Sequence, residues 1–366
     1  MKRVRFALAG LIVASALGAC LPGDPLCPPS DPDQPVRVPA VDASGASDVS
    51  GPMAEFLATV PDGSTIELRA GGTYRMEEGF SIAGRCNLTI RGNGATFVAT
   101  STGVSTRVSV RIEDSGGISV FNLRVVGANP MAGAKDDIFR PELAGQHGFG
   151  ISRSTNVRLS GVSVTDTYGD FVYMGRWGGD AYTDGVLIEG SIFARSGRQG
   201  ITLTGARNVL VETSIIIEAK RSTFDLEPGA GAASTVENVI IRNNVISNGA
   251  LSFVSAEGHG PVDHITIQGN QVLGMPLSIT VEDLDAGLRQ DWKVLDNTSN
   301  LPAGGAEGAT MRFVLIDGLE VHGNLQPMKP DREMYLVGAT NSCNLSVSGN
   351  TIPNGVGELR TTGTCP

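Results

Sequence analysis

The sequence predicts an all-β parallel solenoid, a stack of coils built from short strands, and three observations carry that reading. Segments led by Asn, Gly, His or Asp and continued by alternating apolar residues recur at Asn87 ("NLTIRGNGATF"), Gly117, Asn156, Gly185, Asn208, Asn238, His264, Asp291, Gly318 and Asn344. Their starts fall about 23 to 30 residues apart, with one longer step before Asn156, which is the interval of a solenoid. A second short strand lies between successive leaders: "GFGIS", "FVYMG", "GITLT", "FDLEP", "LSFVS" and "LSITV". Finally, no helical period of comparable length competes, and 48 glycines beside a 5% aromatic share suit a turn-rich chain.

The chain opens with "MKRVRFALAGLIVASALGAC", a basic start, a short apolar run and small residues before a cysteine, the pattern of an export signal. Leu17-Gly18-Ala19-Cys20 is similar to the lipobox of bacterial lipoproteins, which implies that residues 1–20 are a signal and that Cys20 is lipidated; ordinary signal-peptidase cleavage is the alternative. Residues 21–45 are rich in Pro and Asp with no apolar period and read as an extended tether. Residues 46–366 then form the repeat domain of about ten coils. Its first coil needs a cover, and "DVSGPMAEFLATV" supplies a capping helix with Met53, Phe56, Leu57 and Val60 on one face, after Asp48 or Ser50 as N-cap.

Export places the cysteines in an oxidising compartment. Cys343 with Cys365, and Cys27 with Cys86, are the simplest disulfides, and no pair of close pairs suggests zinc. The formal net charge of −10 excludes nucleic acid as a general partner, and nothing beyond the leader is apolar enough to span a membrane.

The order of capping helix, "VPDGSTIEL", "GGTYRM", "NLTIRGNGATF" and Asn-led coils resembles the pectate lyase-like superfamily of right-handed parallel β-helices, over roughly residues 40 to 354. That resemblance implies a right-handed helix and carbohydrate chemistry. It transfers no catalytic residues. Of the polygalacturonase motifs only Gly258-His259-Gly260 is present, followed by Pro261, and the Asp-Pro-His-Glu motif of mannuronan epimerases is absent.

Candidate residues come instead from stacking the second strands. Aligning the apolar pairs Phe149/Ile151, Val172/Met174, Ile201/Leu203, Phe224/Leu226 and Leu251/Phe253 places Gly150, Tyr173, Thr202, Asp225 and Ser252 in one outward column. Glu227 falls in the next, and His147, Asp170, Gln199 and Ser222 line the strand entrances, with Arg198 and Arg221 one residue before the last two. Trp177 and Tyr182, in the flanking loop, are placed to stack on sugar rings. Asp225, Glu227, Arg198, Tyr173, Asp170 and His147 are the candidate catalytic groups, with Gln199, Arg221, Trp177 and Tyr182 as substrate-binding ones. The same charges also fit a ladder in which Arg198 and Arg221 merely steady the two acids.

Two chemistries suit these groups. Elimination or C5 epimerisation of a uronate polymer would use Tyr173, His147 or Arg198 as base, with cations or Gln199 on the sugar carboxylate. Hydrolysis would pair Asp225 with Glu227 or Asp170, carboxylates two apart on a strand lying roughly 6 to 7 Å from each other. The reading sets lyase or epimerase ahead of hydrolase and keeps a non-catalytic glycan-binding adhesin beside them. It expects a monomer acting on a polysaccharide outside the cytoplasm. Ca2+ is admitted only because related lyases use it; no metal ligands are assigned.

Overall fold

In the computed structural model three parallel sheets of twelve, ten and eleven strands run the length of the molecule, one strand from each sheet per coil. The structure describes residues 31–135, 137–175, 182–229, 234–249, 251–282, 287–304 and 308–366. Every strand pairing is parallel, from Thr65 against Thr89 near one end to Val337 against Leu359 at the other. Each coil alone would expose both edges of its strands; stacking gives every inner edge a partner.

The recurring leaders have a steric explanation. Asn87, Asn156, Asn208, Asn238, His264, Asp291 and Asn344 all have φ between 48° and 57°, and Gly117, Gly185 and Gly318 between 67° and 81°. One corner of the coil is thus a column of left-handed residues, a conformation that glycine and Asn or Asp accept most readily. His264 belongs to this column, which makes it a turn residue.

A second column stacks inside the coils. Asn244, Asn270, Asn297, Asn324 and Asn350 pass amide hydrogen bonds from rung to rung at 2.9 to 3.0 Å, and the first four are buried. Ser214 continues the column, its N–H donating to Asn244 Oδ1 at 2.9 Å. These amides satisfy turn backbone that no strand can reach. The apolar filling is continuous from Val49 to Val337, with Phe97, Phe149, Phe171, Phe193, Phe224, Phe253 and Trp292 among its largest buried side chains.

The helix forms over Ser50–Thr59, with Met53, Leu57 and Val60 buried and Phe56 packed against the same core. The N-cap is Val49, without a side-chain cap, rather than Asp48 or Ser50; Asp48 lies just outside the helix and accepts hydrogen bonds from the Ser50 N–H at 3.0 Å and hydroxyl at 2.6 Å. The tether expected through residue 45 ends earlier. Asp31–Arg37 pairs with Ser64–Glu67, and Ser44–Asp48 with Thr73–Arg75. Val36 in the first strand, with Val38, Val41 and Ala43 in the connection, packs against the core, and these few apolar residues make little apolar period in the sequence. The tail is closed by Cys343–Cys365, with Cα atoms 5.2 Å apart. Cys86 is also disulfide-bonded, while Cys20 and Cys27 lie outside the described residues.

Candidate functional site

The expected polar columns lie on the eleven-stranded sheet. Phe149–Ser152, Val172–Gly175, Ile201–Leu203 and Phe224–Leu226 pair in the predicted register, which stacks Gly150, Tyr173, Thr202 and Asp225. The next rung differs: Phe224 pairs with Val254 and Asp225 with Ser255, so Leu251 and Phe253 are not the inward pair of that strand. Leu251 is 62% exposed, and Phe253 is a buried corner residue like Phe171, each immediately preceding its strand.

The entrance column is a staircase of side chains that each accept a backbone hydrogen from the next rung. Asp170 N–H donates to His147 Nδ1 at 3.0 Å, Gln199 N–H to Asp170 Oδ1 at 2.9 Å, and Ser222 N–H to Gln199 Oε1 at 2.7 Å. The Ser222 and Ser252 hydroxyls then meet at 2.7 Å. All five are buried. His147, Asp170 and Gln199 therefore spend part of their bonding capacity holding strand entrances.

Arg198 joins this staircase to the acids. Its guanidinium lies 2.7 Å from Asp170 Oδ2 and 3.7 Å from Glu227 Oε2. Burial works against its charge, but Asp170, Asp225 and Glu227 outweigh that and hold its pKa above the usual arginine value. Asp225 was expected on an open face and is instead only 3% exposed. Burial first, then the charges of Glu227 and Asp170, push its carboxyl up to about 8 against the opposing pull of Arg198. Glu227 lies one residue past the strand end at Leu226. Glu227 is 49% exposed at its side chain and faces solvent. Asp225 Oδ2 and the neighbouring Thr202 hydroxyl are buried without a hydrogen-bond partner in the protein.

Tyr173 stacks on His147, ring centroids 4.8 Å apart at 19°, and its hydroxyl meets Thr204 Oγ1 at 3.0 Å. Burial raises the Tyr173 pKa and lowers that of His147 to about 4. Since His147 Nδ1 accepts a backbone hydrogen, its ring is neutral with the proton on Nε2. Thr204 as the tyrosine's partner carried no signal in the sequence.

Two predicted binding residues lie apart from this cluster. Arg221 sits over the Phe139 ring at 5.6 Å rather than beside the acids, and Tyr182 packs under Arg207 at 5.1 Å. The loop carrying Phe139 supplies an aromatic face that the acids lack, and a guanidinium stacks there readily. Trp177 lies outside the described residues. Gly258, from the one recognisable motif, packs where a Cβ would come within 2.4 Å of Pro228 N, a role in close packing. Among the described residues no group of three or more metal ligands occurs.

The model of the right-handed β-helix region matches residues 78–280. The chain belongs to that family. Similar solved structures include the surface protein and adhesin PfbA of Streptococcus pneumoniae, with a TM-score of 0.60 at 12% identity, covering 90% of this chain and 100% of that one. Endo-xylogalacturonan hydrolase of Aspergillus tubingensis gives 0.58 at 13% identity, over 90% and 96%. A double mutant of the tailspike protein of E. coli bacteriophage HK620 gives 0.60 at 12%, over 90% and 65%. Among curated proteins none matches the sequence. At these identities the likeness is one of fold, and this β-helix must be read from its own residues.

Proposed function

We propose that this β-helix protein hydrolyses a polysaccharide lying along the outer face of the eleven-stranded sheet, with Asp225 as general acid. One observation carries the reading: a buried carboxyl, Asp225, pushed up to about 8 by burial and neighbouring charge, beside a solvent-facing one, Glu227. Asp225 donates its proton to the departing glycosidic oxygen. Glu227 takes the proton of the attacking water, and Arg198, 2.7 Å from Asp170 and 3.7 Å from Glu227, holds both carboxylates in place. Asp225 Oδ2 and the Thr202 hydroxyl, buried and without a protein partner, leave hydrogen-bonding capacity that a water can take up. Proteins of similar fold that support a glycan substrate include an endo-xylogalacturonan hydrolase, an exopolygalacturonase and a tailspike mutant in complex with a pentasaccharide.

Elimination or epimerisation, placed first by the sequence, fits these groups less well. Each base it would need is disabled: Arg198 is held protonated, the Tyr173 pKa is raised, and His147 is buried with Nδ1 already bonded. Binding without turnover is the second reading. It is favoured by how much of the polar column is occupied in holding strands, and by the adhesin among the similar folds. We propose further that the protein is exported, which the Cys343–Cys365 disulfide supports, and that it is lipid-anchored at Cys20, a reading that rests on the sequence of its leader.

A panel of neutral and uronate polysaccharides, assayed in parallel for new reducing ends and for absorbance from new double bonds, tests the reading. Reducing ends alone, abolished by Asp225→Asn, are expected. Unsaturated products would restore the lyase, and measurable binding with no product would establish the adhesin.

A further inference from the structure

The column that contains Asp225 does not stop at the site. Following the register, Asp225 pairs with Ser255, Ser255 with Thr280, Thr280 with Arg312, Arg312 with Gly338, and Gly338 with Arg360. Three rungs of about 4.8 Å bring the face to Arg312, and five bring it to Arg360, so the arginines stand about 14 and 24 Å from the acid. Gly338 between them leaves a notch, and the two arginines with Thr340 and Thr362 border a hollow of about 260 Å³. The threonine hydroxyls meet at 2.8 Å on its floor. Glu282 pairs with Arg312 at 3.1 Å, whereas among the described residues no ion pair engages Arg360, so its guanidinium brings positive charge to this end of a chain of net charge −10.

We propose that this hollow is a remote subsite for an anionic substituent, a carboxylate or sulfate, on a sugar of the same polysaccharide chain. The proposal rests on the glycan-binding part of the reading above and adds the substrate class, an acidic polymer. Guanidinium forks pair with planar or tetrahedral oxyanions, and hydroxyls complete the contact with the sugar. One sugar advances a polysaccharide chain by a length comparable to one rung. A chain with its scissile bond at Asp225 therefore presents the anionic group of a sugar three to five units away to Arg312 and Arg360. Elsewhere along the column Ser255 and Thr280 offer only neutral contacts, so length and charge must be recognised together.

The test uses the full chain carrying Asp225→Asn, which binds without turnover, with oligosaccharides of three to eight units measured by calorimetry. Uronate, sulfated and neutral series are compared. For at least one acidic series, affinity is expected to rise tenfold or more between four and six units, and the series that shows the rise identifies the anion. Adding Arg360→Glu removes that rise and leaves trimer affinity unchanged, which also verifies the fold; Arg360→Gln gives an intermediate loss. A rise that survives Arg360→Glu, or one equally large in the neutral series, overturns the subsite. The hydrolase reading fails separately, through absence of reducing ends from the wild-type chain, and a length step seen in that case still supports the subsite.

Discussion

Replacing Asp225 with Asn removes a carboxyl that the fold holds protonated, and the consequence for stability has a definite sign. An aspartate in an unfolded chain titrates near 3.9, whereas in the folded chain Asp225 is pushed up to about 8. Between those values the unfolded chain has released the proton and the folded chain still carries it, so folding stability falls as pH rises, by about 1.4 kcal/mol per pH unit for one group. Across the whole interval the loss approaches about 6 kcal/mol; rotation of the half-exposed Glu227 into solvent eases the repulsion, so about 2 to 4 kcal/mol is expected. Asn cannot ionise and escapes the loss. Denaturant unfolding of both proteins from pH 5 to 9 should therefore show similar stability at pH 5 and an advantage to Asp225→Asn that grows to pH 8, while turnover is lost throughout. A difference between the two that stays flat with pH would refute both the raised pKa and the assignment of Asp225 as the acid. The outcome also separates this buried residue from an exposed ladder position, where the same change would move stability by only about 0.5 kcal/mol.

Other outcomes follow from single features. Replacing Cys343 and Cys365 with Ser opens a loop of sequence separation 22 and should cost about 3 kcal/mol in thermal unfolding, with the tail becoming susceptible to protease. Thr213 is an exposed β-branched residue at φ 50°, in a corner otherwise held by Gly190, Asn243 and Gly269; Thr213→Gly should raise stability by about 1 kcal/mol in the same assay, and a loss would disprove the strain. Changing Cys20 to Ser should move the protein from the membrane fraction to the soluble one, and unchanged fractionation would remove the lipid anchor.

By itself the sequence determined the solenoid, because its cause is local. A left-handed corner favours Gly, Asn or Asp, and an inward side chain on a short strand is apolar; both preferences leave a mark along the coils from Asn87 to Asn344. The candidate site was legible only as far as the strands kept a common phase. Nine residues separate Ile215 from Phe224 and Val245 from Val254, the spacing between strands of neighbouring sheets, but the alternation in "LSFVS" imitates a strand and hides it. Tertiary structure alone decided that Asp225 is buried within the field of Glu227, that Arg198 serves Asp170 rather than forming a ladder with Arg221, and that Arg312 and Arg360 share the face of the acid. Each of these depends on which side chains converge across coils 20 to 30 residues apart in sequence, where no local preference records the contact and only the stacking of rungs brings it about.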